Sequence, residues 1–213
     1  EQVFVGTYHT RGGALWGPRT SQPQPPVSPP PALPPVAAQS IAAETLTPAL
    51  AALDVALLDV ANDKYRANLL TALLPLARSH DPAAGQALAS RLLHPFPDSP
   101  VSLFGGKVQV PAARLAQWYL LYAIAINGHG AIPPAYLTVP WSAPPNPAEK
   151  YLEPAVAAAW AVMQLRQDDP ATLEALRTAL RGNLPRWAQG DFLAALHLLT
   201  GQPFQYLPEK SAE

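Results

Sequence analysis

Between Thr20 and Ala43 the chain carries no charged residue, and eight of its 27 prolines fall between Pro23 and Pro35. Proline has no amide hydrogen and holds φ near −65°, so such a stretch cannot enter a helix interior or a central strand. It favours extended polyproline II and acts as a semi-rigid spacer. The tract therefore divides the chain into residues 1–19, a proline-rich linker over 20–40, and a body over 41–208. Pro26-Val27-Ser28-Pro29 and Pro31-Ala32-Leu33-Pro34 match the PxxP ligand pattern. With no Arg or Lys inside the tract, a plain spacer is the preferred reading.

Residues 1–19 read as a short β-hairpin that tethers the chain. Val3 and Val5 lie on one side of the first run with Phe4 on the other, Arg11-Gly12-Gly13 supplies a turn, and Ala14-Leu15-Trp16 returns. An isolated hairpin is marginal in water. Phe4 and Trp16 are accordingly the expected contact residues of this arm.

From Ile41 onwards the periodicity is helical. Thr47 and Pro48 look like a cap and first helical position, and Leu50, Leu53, Leu57 and Val60 share one face. A second helix is expected over about 64–79, with a kink at Pro75. Asp81-Pro82 and Asp169-Pro170 each open a helix, because Asp caps well and proline suits a position whose N–H would be unpaired anyway. Val101–Phe104 and Lys107–Val110 around Gly105-Gly106 predict a β-hairpin. Pro111 opens an apolar helix stopped by Asn127-Gly128. Asn146, Pro147 and Glu149 read as the start of the next helix, with Pro154 in its first turns. The last helix spans about 185–200 and ends at Gly201.

The Asp-Pro helices match in register. Asp81, Pro82, Ala83, Ala87, Leu88 and Leu92 align with Asp169, Pro170, Ala171, Ala175, Leu176 and Leu180; Arg114, Ala116 and Gln117 align with Arg186, Ala188 and Gln189; Tyr136-Leu137 aligns with Tyr206-Leu207. An internal duplication is expected, with three-helix units over about 64–137 and 149–207 and the hairpin inserted in the first. Units of this kind bury their apolar faces by stacking. The Asp-Pro junction between paired helices resembles that of tetratricopeptide-type repeats, which implies a protein-binding body. The fold class expected is thus mainly α, helical-repeat-like, with one inserted hairpin and an extended arm.

Composition narrows the chemistry. Charged residues are 14%, net charge is −1, and there is no basic stripe, which speaks against nucleic acid. With no cysteine, disulfides, thiolate metal sites and a cysteine nucleophile are excluded. The longest strongly apolar run, Leu115–Ile126, is far shorter than the roughly 20 residues of a membrane span. Glu1 at the start and a lone methionine, Met163, fit either a removed secretory leader or a shortened chain; export to the periplasm or a surface assembly is the expectation, with a cytoplasmic location left open.

No spaced metal-ligand set involves the five histidines, and no GxSxG, GxxxxGK[ST] or GxGxxG occurs. No metal or cofactor is expected. His80 and His94 read as helix-end residues and His197 as a core histidine. His129, flanked by Gly128 and Gly130, could face a ligand, though a helix-stop loop is the simpler reading. Asp59 with Asp63, and Glu149 with Glu153, read as solvated helix surface.

From Leu115 to Ala148 there is no Asp, Glu, Lys or Arg. Its helical part, with Trp118 and Tyr122 on one face, reads as core. The loop 131–145, carrying Tyr136, Leu137, Val139 and Trp141, has the composition of an interface. The function expected is a non-catalytic structural or adaptor subunit, bound to other protein subunits or to copies of itself through this loop and the arm. The alternative is a ligand-binding protein or enzyme with a pocket between the two units near His129 and His197.

Overall fold

A computed structural model describes residues 42–103, 108–138, 153–182 and 184–201. The N-terminal hairpin and proline-rich tract, the 146–149 helix start, and Tyr206-Leu207 lie outside these residues. Among the described residues the chain is seven helices and one two-stranded antiparallel hairpin.

Helix α1 (Ala43–Leu58) buries Leu53, Ala56 and Leu57 against α2 (Tyr65–Arg78). The expected start at Thr47-Pro48 is corrected: the helix begins at Ala43 with Ala42 as its cap, and Pro48 lies inside it. A proline there leaves only the Glu44 carbonyl without its i+4 donor. Glu44 is exposed, so water can serve that carbonyl. Helix α2 turns Tyr65, Leu69, Leu73, Leu76 and Ala77 inward, with Pro75 on its outer side.

Helix α3 (Pro82–Arg91) starts where the sequence placed it. Asp81 caps it by accepting from the amides of Ala83 and Ala84 at 2.7 and 3.0 Å. Strands β1 (Pro100–Leu103) and β2 (Val108–Pro111) pair with Val101 opposite Val110 and Leu103 opposite Val108. Val101, Leu103 and Val110 point into the core. Pro111 then leads directly into α4 (Ala112–Asn127).

Helix α4 is apolar on almost every side and is covered accordingly: it packs on α2, α3 and α5 (Pro154–Gln164). Helix α5 presents Ala155, Ala157, Ala158, Ala159 and Ala161 to the interior, and such small side chains let neighbouring helix axes approach closely. Trp118 and Tyr122 are half-buried; Tyr122 lies between Trp118 and Trp160, with ring centroids 4.5 and 4.7 Å apart. Burial, reinforced by the charge of Asp191, pushes the Tyr122 phenol above its ordinary pKa.

Helix α6 (Pro170–Arg181) is closed by Gly182, and α7 (Arg186–Thr200) by Gly201 in the left-handed conformation (φ 68). Helix α7 packs on α5 and α6, as α4 packs on α2 and α3. A 3-10 turn, Pro134–Leu137, bridges α5 and α6. No helix among the described residues is long and apolar enough to cross a membrane.

Glu153 departs from the expected solvated surface. It is the residue before α5, it is buried, and its carboxylate lies 3.6 Å from the Arg114 guanidinium. A buried carboxylate needs a cation nearby, and here it comes from another helix.

Candidate functional site

Two polar junctions hold the loop that follows α4, and an open groove with largely apolar walls lies beside it. At the first, α2 passes into α3 through Ser79 and His80, the latter in the left-handed region (φ 52). The fully buried Asn127 donates from Nδ2 to the Leu76 carbonyl (2.8 Å) and to Ser79 Oγ (3.2 Å). His80 Nδ1 lies 3.1 Å from the Asn127 carbonyl and donates to it.

Here α3 rests directly on the loop, glycine against glycine. A Cβ on Gly85 would sit 2.5 Å from the His129 carbonyl oxygen and 2.6 Å from Asn127 Oδ1. Gly130, at φ 104, closes the contact from the other side, 2.7 Å separating its would-be Cβ from the Gly85 carbonyl oxygen. Of the glycines flanking His129, Gly130 thus serves this close approach, while Gly128 ends α4 in the left-handed conformation (φ 81).

The second junction is built on Gln167. Its Oε1 accepts from the Ile132 amide (2.8 Å), and its Nε2 donates to the Ile132 carbonyl (2.9 Å) and to Thr172 Oγ1 (2.8 Å). Thr172 Oγ1 donates in turn to Asp169 Oδ2 at 2.6 Å. Asp169 also caps α6 through the amides of Ala171 and Thr172. Hydrogen bonds from Thr172 hold the Asp169 carboxyl below its ordinary pKa. A third tie comes from Tyr136, whose hydroxyl donates to the Leu92 carbonyl at 2.5 Å.

Between these anchors lies an open groove of about 450 Å³. One wall is the end of α3, with Ala89, Ser90 and Leu93; the other is the loop Ala131–Pro134 together with Gln167, Asp169 and Ala171 at the start of α6. Leu93 is 73% exposed on its wall. The lining carries no cation, and its only anion is already occupied in capping α6. Such a surface offers apolar contact and a few hydrogen bonds, with no pair of groups arranged for acid–base or nucleophilic work. Among the described residues no group of three or more His, Asp or Glu side chains is placed to hold a metal ion.

The residues singled out from the sequence are distributed differently from expectation. Leu137 is 1% exposed and belongs to the core, Tyr136 is half-buried, and Ala131, Ala135 and Thr138 are exposed, so the described part of the 131–145 loop is anchored by Leu137 and partly open to the surface. His129 stands at the α3 contact, with its Nε2 buried and without a hydrogen-bond partner. His197 lies in the last turn of α7. Neither histidine lines the groove. Phe4, Trp16, Val139 and Trp141 lie outside the described residues. Ala131–Pro134 belong to the loop already singled out for its interface composition, and Asp169 to the Asp-Pro helix start, whereas Leu93 and Gln167 look like ordinary helix-end residues and join them only by packing. The chain matches no known family model, no curated protein and no solved structure.

Proposed function

We propose that this chain is a non-catalytic docking subunit of a multi-protein assembly, and that the groove between the end of α3 and the start of α6 receives an uncharged, extended segment of a partner protein. The observation that carries the reading is the groove itself: apolar walls pinned by hydrogen bonds from Gln167 and Tyr136, with Leu93 standing exposed at the rim. Pre-organised walls lose little entropy on binding, which favours capture of a flexible segment. Val55 and Leu58, 68% and 66% exposed on α1, give a second apolar surface for the same assembly.

The proposal includes a duplicated body. Asp81 and Asp169 perform the same capping function, and the third helix of each set packs on the first two, as two stacked copies of one unit require. Export remains part of the proposal, since it rests on composition.

The test is the molar mass of the protein isolated from its native source, as wild type and as Leu93→Asp. A wild-type chain in a large complex and a variant released from it would support the reading. A wild-type chain running as a free monomer near 22.7 kDa, or a variant that stays in the complex, would overturn it.

A further inference from the structure

We propose a second site, sharing no residue with the groove: the face formed by α4, α5 and α7 docks an arginine side chain of a partner protein. The guanidinium stacks on the Trp118, Tyr122 and Trp160 rings and pairs with the Asp191 carboxylate.

The rings are the first argument. Tyr122 stands between Trp118 and Trp160, with centroids 4.5 and 4.7 Å away, and Tyr119 meets Trp118 edge-on at 5.0 Å. Trp118, Tyr122 and Trp160 are half-buried, so each keeps part of its ring at the surface. Trp187, 41% exposed, lies one turn before Asp191 on the same side of α7. Tryptophan, tyrosine and arginine are the residues that dominate binding energy at protein interfaces.

Charge is the second. Helix α7 packs on α5 and brings Asp191 near enough to Tyr122 for its charge to act on the phenol. Asp191 reaches solvent, yet the packing around it desolvates the carboxyl and raises its pKa. Among the described residues no cation pairs with it. Two nearby arginines are engaged elsewhere: Arg114 lies 3.6 Å from Glu153, and Arg66 donates to the Tyr119 hydroxyl on the α2 side. An uncharged partner laid over this face would bury the Asp191 carboxylate without a counter-charge, at a cost. A partner that brings a cation removes that cost. A guanidinium is planar and weakly hydrated, so it stacks on a ring while its fork of N–H groups meets a carboxylate; an ammonium does this less well. One carboxylate suits a side chain carried by a protein, whereas a free amino acid brings two further charges of its own.

The test uses the full-length chain, with the tryptophan indole N–H signals followed by NMR. The probes are N-acetyl-arginine amide, its lysine counterpart, its uncharged citrulline counterpart, and free arginine. The arginine amide should shift the Trp118 and Trp160 signals saturably, binding at least about tenfold more tightly than the citrulline amide. Asp191→Asn should weaken that binding by a similar factor without lowering stability in urea, while Leu93→Asp should leave it unaltered. No saturable shift, equal binding of citrulline, or unaltered binding in Asp191→Asn overturns the site. Equally tight lysine binding overturns the choice of arginine, and tighter binding of free arginine overturns a protein partner. The groove reading is judged separately, by Leu93→Asp in the native complex, so either can fall without the other.

Discussion

Gly85 and Gly190 are both helical glycines, and replacing each by alanine should move stability in opposite directions. Helix propensity alone favours alanine over glycine by about 1 kcal/mol in a helix interior. At Gly190 nothing lies within 4 Å of the new Cβ, so Gly190→Ala should gain most of that amount. At Gly85 the same atom meets the His129 carbonyl oxygen at 2.5 Å and Asn127 Oδ1 at 2.6 Å. Neither neighbour yields easily: one is backbone, and the other is held by the hydrogen bonds from Asn127 Nδ2 to Leu76 and Ser79. Overpacking of this kind costs about 3 kcal/mol at its upper range, leaving a net loss near 2 kcal/mol after the propensity gain. For a body of this size that is a fall in melting temperature of about 4–8 °C. Urea unfolding of the three proteins measures both signs in one experiment. A Gly85→Ala variant as stable as wild type would refute the claim that α3 and the 127–130 loop are in glycine-mediated contact.

Other outcomes follow from the same geometry. Asp81→Ala removes the acceptor of two α3 amides and should cost about 1–2 kcal/mol in chemical denaturation, near the upper end for a cap because Asp81 is buried. The Asp169 carboxyl is held low by Thr172, so its capping contribution is present above the ordinary carboxylate pKa and is lost as pH falls through the folded-state value; the difference in melting temperature between wild type and Asp169→Asn should shrink in strong acid. Burial raises the Tyr65 phenol to about 12, so its contribution is complete below the ordinary value near 10 and is lost between about 10 and 12, worth roughly 2–3 kcal/mol. Tyr65→Phe should flatten that alkaline loss, read as stability against pH. Leu93→Asp should leave unfolding within about 0.5 kcal/mol of wild type, since the side chain is mostly in water.

The helix starts at Asp81-Pro82 and Asp169-Pro170 were legible because a cap is a local arrangement: an aspartate, a proline, and two amides within three residues. The stops at Gly128 and Gly201, and the pairing of residues 100–103 with 108–111, are equally local. Thr47-Pro48 misled for the same reason. It carries the form of a helix start, but α1 has enough apolar burial at Leu53 and Leu57 to tolerate one lost hydrogen bond. Long-range partners were beyond sequence reasoning. Nothing near Leu137 announces that it will be buried, and nothing near Glu153 names Arg114, which is 39 residues away. The groove is the clearest case. Its walls come from residues near 90, 132 and 170, and although the uncharged loop and the Asp-Pro start were each visible locally, nothing in the sequence brings them together.

The twofold grip of Gln167 on Ile132 bears on how the body breathes. Segment 131–133 has no helical or strand hydrogen bonding of its own, and by that measure its amides should exchange with solvent as quickly as any loop's. Yet the Ile132 amide is held by a side chain at the α5–α6 junction, which is tied in turn through Thr172 to the first turn of α6. In deuterium exchange Ile132 should therefore open together with the first turn of α6, as one cooperative unit, rather than with its neighbours in sequence.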